Sequence, residues 1–179
     1  MKDIDEPVLL VPYDDAWPDR YDKERTRIAN AFGVLPRSGL MQHIGSTAVR
    51  GLVAKPVIDI MLGVGSWPPR PEFLARICNL GYEDLGEAGV PGRIYLRRRD
   101  LHSFNAHIVQ RSGEHWTNNL AIRDLLRRDP ASRARYAAAK RAALDVGKGR
   151  LLAYSEAKDG AVTELLAAAR AAAAAAPAK

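Results

Sequence analysis

The stretch QHIGSTAVRGLVAKPVIDIML, residues 42–62, holds side chains that could bind phosphate groups and a metal ion. Gly45 lets backbone N–H groups approach phosphate oxygens without a Cβ in the way, and the hydroxyls of Ser46 and Thr47 add donors. Asp59 stands alone inside an apolar run, where a carboxylate is costly unless it is paired or bound to a metal such as Mg²⁺. These residues predict a site for a nucleotide phosphate chain, although a tight turn alone would also explain the glycine.

Two basic side chains are candidates for offsetting phosphate charge. Lys55 precedes Pro56, which holds it extended, and it is either a phosphate contact or a surface charge. Arg93 follows Gly92 at the start of a predicted strand, and its planar guanidinium suits phosphate or carboxylate. An internal ion pair of Asp59 with Lys55 or Arg93 is the alternative to a functional site.

Two histidines complete the candidate catalytic set. His43 and His107 lie near the ends of predicted strands that we expect to be neighbours, and either could act as a general base or a metal ligand at neutral pH. The alternation of residues 103–109 places Asn105 and His107 on one face, away from the apolar side chains. The catalytic candidates are therefore Asp59, His107 and His43, with Asp59 and His107 as the metal ligands.

The elements that must position these residues follow the order helix, mixed strands, helices. Residues 56–64, PVIDIMLGV, form a nearly continuous apolar run, as expected for a central strand covered on both faces. A helix capped by Asp14 or Asp15 and stopped by Gly33 precedes it. We expect further strands at residues 8–11, 41–44, 82–87, 93–97 and 103–109, and further helices at residues 72–80, 115–128, 132–145 and 154–175. The pattern predicts one α+β domain.

The composition is that of one globular domain. The chain has 179 residues, of which 47% are hydrophobic and 27% are charged, and these values fit a single domain spanning residues 1–179. No apolar run approaches the ~18 residues of a membrane span, so no membrane association is expected. The one cysteine, Cys78, cannot form an internal disulfide, which suits a reducing, cytoplasmic location.

The net charge of +6 permits binding of nucleic acid or of small anions. The densest basic cluster, Arg97–Arg99 before Asp100, is expected at a solvated hairpin turn. Neither a set of aromatic side chains for base stacking nor a reading helix accompanies it, so nucleic acid is the least favoured partner. A nucleotide and a small-molecule acceptor are the favoured partners, and the oligomeric state does not follow from the sequence.

Longer motifs make the comparison with known families more specific. Six motifs together resemble the GrpB family over roughly residues 8–170. They are HIGSTAVRGLVAKPVIDI, GYEDLGEAGVPGR, HIV, RDLL, YAAAK and YSEAK. The spacing from Gly45-Ser46 to Asp59 also resembles the signature of the polymerase-β-like nucleotidyltransferase superfamily. The resemblance implies a nucleotidyltransferase-like mixed β-sheet flanked by helices, with the C-terminal helices packed against it. In some chains of the family, the domain is joined to a dephospho-CoA kinase.

The chain departs from the family pattern at two positions that bear on catalysis. Met61 stands where the superfamily has its second acid, and Asn105 stands where the family has the first histidine of an H-x-H pair. A two-metal mechanism needs several carboxylates, which Asp59 alone cannot supply. Asn105 and His107 could complete a one-metal site. The alternative is a branch that has lost catalysis or uses a different one.

The favoured hypothesis is a nucleotide-dependent transferase or ligase that binds ATP with Mg²⁺. It would transfer a nucleotidyl or phosphoryl group, or activate a small-molecule acid. In this hypothesis Asp59 holds the metal and His107 completes the metal shell or moves a proton, while the Gly-Ser-Thr turn and the two basic side chains hold the phosphates. The alternative hypothesis is a catalytically inactive nucleotide or small-molecule binding domain, which Met61 favours.

Overall fold

The computed structural model of the chain describes residues 4–34 and 39–174. The strands are β1 (Met41–Ile44), β2 (Val57–Val64), β3 (Glu83–Asp84), β4 (Arg93–Arg99) and β5 (Ser103–Gln110). The helices are α1 (Trp17–Phe32), α2 (Pro71–Cys78), α3 (Glu114–Arg128), α4 (Pro130–Val146) and α5 (Leu151–Ala174), and a 3₁₀ turn, Ser46–Ala48, follows β1. This order confirms the predicted α+β class.

The five strands form one mixed sheet in the order β1-β2-β5-β4-β3. The central pair, β2 and β5, is parallel, and the other neighbouring pairs are antiparallel. In the parallel register Asp59 lies opposite Asn105 and Met61 lies opposite His107. The apolar run around Asp59 is therefore the central strand that the sequence predicts, and it brings its aspartate beside the polar residues of β5.

The two faces of the sheet differ in what covers them, because side chains alternate along each strand. The core side chains of β2 pack with residues of α1 and α2, and they are Ile58, Ile60 and Leu62. Asp59 points to the other face, which we call the cleft face. Asn105 and His107 share that face, as the alternation of residues 103–109 predicts.

The C-terminal helices pack on the cleft face and on one another. Trp116 of α3 packs against Met61 and Val109 of the sheet. Leu165 and Ala169 of α5 belong to an apolar cluster that also contains residues of α3 and of the loop after β1. This packing confirms the expected position of the C-terminal helices, and it leaves a cleft between the sheet, α4 and α5.

Two predicted strands differ from the observed ones. Residues 8–11 form no strand, because this segment meets the rest of the fold through single bridges, of which one joins Val11 to Ala54. The strand predicted at residues 82–87 is reduced to Glu83–Asp84. It ends there because the Asp84 carboxylate accepts a hydrogen bond from the Gly86 N–H at 2.8 Å, which closes a turn.

Helix starts also differ from the predictions. Helices α2 and α4 begin at Pro71 and Pro130, because proline fits the first turn of a helix. Helix α5 begins earlier than predicted, at Leu151. Asp14 accepts a hydrogen bond from the Ala16 N–H, one residue before α1, so the predicted aspartate cap is wrong. The predicted end of the last helix at residue 175 lies outside the described residues. Within residues 4–34 and 39–174, no helix combines the length and the apolar character needed to cross a membrane.

The basic cluster Arg97–Arg99 lies within β4 and not at a turn. Its three guanidinium groups pair with carboxylates of separate segments: Arg97 with Glu83 at 3.0 Å, Arg98 with Glu24 at 2.8 Å and Arg99 with Glu6 at 2.6 Å. These charges tie the sheet to α1 and to the N-terminal segment. The cluster is therefore a set of internal ion pairs, and the predicted solvated turn is wrong.

Candidate functional site

Asp59 lies at the floor of the cleft, where it joins β2 to β5 through its side chain. Its Oδ1 accepts a hydrogen bond from Asn105 Nδ2 at 2.7 Å and lies 3.1 Å from His107 Nε2. Burial raises the pKa of Asp59, but the bonds from His107 and Asn105 and the charge of Lys55 outweigh burial and lower the pKa to about 2. Asp59 is therefore a carboxylate at neutral pH, and neither Lys55 nor Arg93 is its hydrogen-bond partner.

The ionised state of Asp59 decides which nitrogen of His107 carries the proton. A carboxylate has no proton to donate, so Nε2 of His107 must be the donor across the 3.1 Å contact. In the neutral imidazole, Nδ1 is then unprotonated and can accept a proton. An aspartate that orients a histidine base in this way is the arrangement used in catalytic triads.

Asn105 is held so that its amide nitrogen faces Asp59. The hydroxyl of Tyr95 donates to Asn105 Oδ1 at 2.8 Å, and Arg99 Nη2 donates to the same oxygen at 3.0 Å. With both donors on the oxygen, the NH₂ group is left to donate to the carboxylate. The asparagine that departs from the family pattern thus orients Asp59 and adds no charge to the cleft.

The conformation of Gly45 is explained by its contact with Asp59. The residue has φ +68°, which favours glycine, and a Cβ placed there would lie 2.5 Å from Asp59 Oδ2. Backbone and carboxylate therefore meet at a distance that no other residue type permits. This close packing is a structural reason for the glycine that the sequence interpretation assigned to phosphate approach.

The two hydroxyls of the turn have different surroundings. The ammonium of Lys140 donates to Ser46 Oγ at 2.8 Å, at the wall of the cleft. Thr47 borders the cleft, but its Oγ1 lies 3.0 Å from His43 Nε2. Ser46 therefore remains a candidate ligand contact, whereas the hydroxyl of Thr47 is engaged within the protein.

His43 is not brought together with Asp59 and His107. It pairs with Ile60 of β2, so its side chain lies on the face opposite the cleft. There its ring stacks on Tyr21 with centroids 4.6 Å apart, and burial lowers its pKa to about 4. The strand of His107 is also not adjacent to that of His43, because β2 lies between β1 and β5.

Lys55 and Arg93 both line the cleft, as their predicted role requires. Arg93 Nη2 donates to the Glu87 carbonyl at 3.1 Å, and its guanidinium lies 5.1 Å from the centre of the Tyr95 ring. These contacts hold Arg93 at the rim. Burial lowers the pKa of Lys55, while the nearby Asp59 opposes that effect.

Two further lysines that the sequence interpretation missed complete the cleft. Lys140 of α4 and Lys158 of α5 each follow a tyrosine by four residues, in the motifs YAAAK and YSEAK. This spacing places tyrosine and lysine on one helical face, and each ammonium lies over its tyrosine ring, at 5.6 Å for Tyr136 and 5.7 Å for Tyr154. The repeated motif was the signal that could have identified both lysines.

Lys140 has the most unusual environment of these basic residues. Its side chain is buried, and its ammonium donates to Ser46 Oγ and to the Val53 carbonyl. Burial, followed by the charges of Lys158 and Lys55, lowers the pKa of Lys140 to about 7, although Asp59 opposes the shift. Lys140 can therefore exchange a proton near neutral pH, which makes it a second group able to take part in acid–base chemistry.

The cleft has a volume of about 380 Å³, within the range of small-molecule sites. Besides the charged groups, its walls carry the phenol rings of Tyr95 and Tyr154 and an apolar rim that includes Val90 and Leu152. The lining thus combines charged and apolar side chains. A small ligand with an anionic part and an uncharged part matches this combination.

The floor of the cleft carries one carboxylate, that of Asp59, as a ligand for a magnesium ion. Mg²⁺ requires near-octahedral oxygen ligands, usually including carboxylates, but Oδ1 of Asp59 already accepts bonds from Asn105 and His107. Met61, in place of a second acid, is buried in an apolar cluster. Among the residues that the structure describes, no three histidine, cysteine or acidic side chains group as metal ligands. The assignment of Asp59 and His107 as metal ligands stays a prediction.

Comparison with known proteins identifies relatives that match most of this chain. The family model described as GrpB protein matches residues 7–168. A UPF0157 protein of Streptomyces coelicolor is 34% identical over 86% of this chain and 79% of its own length. The crystal structure of the conserved protein GrpB from Enterococcus faecalis has a TM-score of 0.76 and 27% identity, and it covers 90% of this chain and 96% of that one. A dephospho-CoA kinase of Mycolicibacterium paratuberculosis is 30% identical over 86% of this chain, but over only 44% of the kinase.

Proposed function

Because the chain belongs to the GrpB protein family, we propose that its cleft binds a nucleotide and catalyses transfer of a nucleotidyl or phosphoryl group to a small-molecule acceptor. ATP is the nucleotide that we expect. The dephospho-CoA kinase that matches most of this chain supports a ligand of the nucleotide type. Activation of a small acid before ligation would be one form of such a transfer.

The observation that carries the proposal is the oriented Asp59–His107 pair on the floor of a cationic cleft. Asp59 holds Nε2 of His107 at 3.1 Å, which leaves Nδ1 as the base. Lys55, Arg93 and Lys140 line the same cleft and can neutralise phosphate oxygens. A base and an electrostatic clamp on a phosphoryl group are the two parts that phosphoryl-type transfer requires.

In the proposed step, an acceptor hydroxyl or carboxyl oxygen attacks phosphorus of the bound nucleotide. The new O–P bond forms as the P–O bond to the leaving group breaks, and the electron pair stays on the leaving oxygen. The leaving group is pyrophosphate in nucleotidyl transfer and the nucleoside diphosphate in phosphoryl transfer. If the acceptor carries a proton, Nδ1 of His107 takes it. Lys55 and Arg93 offset the charge on the leaving group, and Lys140 can return a proton to it.

Thermal unfolding with nucleotide, followed by nucleotide turnover, tests the proposal. ATP at about 100-fold above Kd stabilises the folded protein by about 2.7 kcal/mol. This raises Tm by roughly 5–10 °C for a chain of this size. We expect this shift for the wild type and for His107→Gln. The wild type should consume nucleotide in the presence of a pool of small-molecule acceptors, and His107→Gln should not. Phosphorus NMR measures this consumption. Lys23→Met, at an exposed position of α1, is the matched control.

A Tm that does not move with any nucleoside triphosphate, with or without Mg²⁺, would contradict nucleotide binding. Equal turnover by the wild type and His107→Gln would contradict the role of the histidine.

A non-catalytic binding domain is the second candidate function. The burial of Met61 among Ile44, Val109 and Trp116 favours it, because the position of the second superfamily acid is occupied by a packed apolar side chain. In that case the nucleotide would raise Tm as above, but no acceptor would be modified. Binding without turnover over the whole acceptor pool therefore distinguishes this candidate from the enzyme.

A further inference from the structure

Three ammonium groups converge on the cleft from three separate elements. Lys55 lies just before β2, Lys140 on α4 and Lys158 on α5, and all three line the same cavity. We call these three side chains the lysine cage. Because the elements are far apart in sequence, their convergence is a property of the packed fold and not of a local basic run.

Two members of the cage have no hydrogen-bond acceptor in the part of the chain that the structure describes. Within the described residues, the ammonium groups of Lys55 and Lys158 donate no hydrogen bond to the protein, and burial lowers the pKa of both. The Nε of Arg93, at the rim of the same cleft, is buried without a hydrogen-bond partner in that part of the chain. A buried cationic nitrogen without a partner is costly. These donors are therefore available to a ligand.

The charges that line the cleft leave an excess of positive charge. Lys55, Lys140, Lys158 and Arg93 face two acidic side chains, Asp59 and Asp159. Asp59 is already bonded to Asn105 and His107. A ligand that carries more than one negative charge therefore matches this excess.

We propose that the lysine cage binds a diphosphate or triphosphate chain directly, without a divalent cation. This inference rests on the proposed nucleotide site and names the part of the ligand that the cage holds. Ammonium groups donate to phosphate oxygens and supply positive charge to them. The lysines therefore neutralise the phosphate charge that a magnesium ion, held by a set of carboxylates, would otherwise neutralise. A second acid at the position of Met61 is then not required for phosphate binding.

The Tyr-x-x-x-Lys pairs explain how the cage stays in place when no ligand is bound. Tyr136 and Tyr154 lie beneath the ammonium groups of Lys140 and Lys158 at 5.6 Å and 5.7 Å. For Lys158, the ring holds the ammonium in position while its N–H groups stay open to an anion. Lys140 also donates to Ser46 and Val53, which leaves one N–H for an anion. The two phenol rings thus preorganise the cage, which lowers the ordering cost of binding.

Isothermal titration calorimetry with inorganic pyrophosphate in excess EDTA tests the proposal. We expect the wild type to bind pyrophosphate and to bind the dicarboxylate succinate at least tenfold more weakly. Lys158→Met and Lys55→Met should each weaken pyrophosphate binding at least tenfold, whereas Lys23→Met should not change it. The unfolding midpoint of each variant shows whether it is folded. Lys140 is left unchanged in this series because its bonds to Ser46 and Val53 also hold the turn.

Pyrophosphate binding that requires added Mg²⁺ would overturn the metal-free cage, while a nucleotide site would survive that result. Equal losses in Lys158→Met and Lys23→Met, or equal affinity for succinate, would also overturn it. Conversely, pyrophosphate binding in EDTA together with no response to any nucleotide would support the cage and contradict the proposed function.

Discussion

Gly45 and Asp59 approach so closely that the site depends on the absence of one methyl group. A Cβ at residue 45 would lie 2.5 Å from Asp59 Oδ2, and the backbone there has φ +68°. We predict that Gly45→Ala lowers the free energy of unfolding by about 3 kcal/mol, from backbone strain and overpacking together. Urea unfolding measures this loss, and nucleotide turnover should also be lost, because a displaced carboxylate no longer orients His107.

Gly51→Ala is the matched control for this substitution. Gly51 has φ +78° in the same loop, but nothing lies within 4 Å of the Cβ that alanine would add. Backbone strain should therefore lower its free energy of unfolding by only about 1–2 kcal/mol, and the variant should keep nucleotide turnover. Equal losses in the two variants would show that contact with Asp59 is not what requires glycine at residue 45.

His43 gives the protein a specific dependence of stability on pH. Its ordinary pKa of 6.5 is lowered to about 4 by burial. Between these values the unfolded chain binds a proton that the folded chain does not, so the free energy of unfolding falls as pH decreases from 6.5 to 4. We predict a loss of up to about 3 kcal/mol from this group. Urea unfolding at several pH values across the window measures it.

The control for His43 compares how steeply the free energy of unfolding changes with pH, and not its value at one pH. His43→Gln removes the titrating group along with its stacking on Tyr21, so this variant is less stable at pH 7 but should lose less on acidification. His102→Gln, at an exposed position, should keep the wild-type slope. A slope for His43→Gln as steep as that of the wild type would mean that other groups cause the acid sensitivity.

At the scale of elements, the sequence predicts periodicity better than register. The lone acid in the apolar run correctly places Asp59 on a central strand, and alternation correctly places Asn105 beside His107. His43 was misplaced because its face depends on how β1 pairs with β2, and that register brings it opposite Ile60. Residues 8–11 have strand-like composition, but their bridges are set by distant segments.

The lysine cage was missed for a related physical reason. Lys140 and Lys158 lie on helices that return to the cleft only through long-range packing, which local patterns do not specify. Their Tyr-x-x-x-Lys spacing could have indicated a shared helical face. It could not have indicated which face α4 and α5 turn toward Asp59.

The position of α5 should therefore control both stability and anion binding. Leu165, buried with Leu126 and Val49, lies about two turns after Lys158. We predict that Leu165→Ala lowers the free energy of unfolding by about 2–4 kcal/mol, because a cavity opens between α5 and α3. Since this loosens the helix that carries Lys158, pyrophosphate affinity should fall severalfold in calorimetry.

Leu101→Ala is the control for the packing of α5. Leu101 is 90% exposed, so its removal should change stability by no more than about 0.5 kcal/mol and leave binding unchanged. If Leu165→Ala were destabilised while its pyrophosphate affinity stayed at the wild-type value, the cage would not depend on the packing of α5.

Over the whole molecule, the two faces of one sheet divide structure from chemistry. The face packed against α1 and α2 contains the main core. The other face carries the Asp59–His107 pair and receives the cage from α4 and α5. Basic side chains thus occur in two arrangements: as ion pairs along β4, and as cleft side chains without an ion-paired carboxylate among the described residues. Only the second arrangement is open to an anion.

The net charge of +6 offers another explanation for anion binding, and the two explanations make different predictions. At physiological salt the Debye length is about 8 Å, so distant surface charges are largely screened. The double variant Lys23→Glu, Arg128→Glu reverses two exposed charges that do not line the cleft. At this salt concentration we predict a pyrophosphate affinity within about twofold of the wild type, and a clear loss only at low salt. Calorimetry at both salt concentrations measures this. A loss at physiological salt as large as that of Lys158→Met would assign the attraction to the overall field of the protein, and the convergence of the three lysines would then not explain binding.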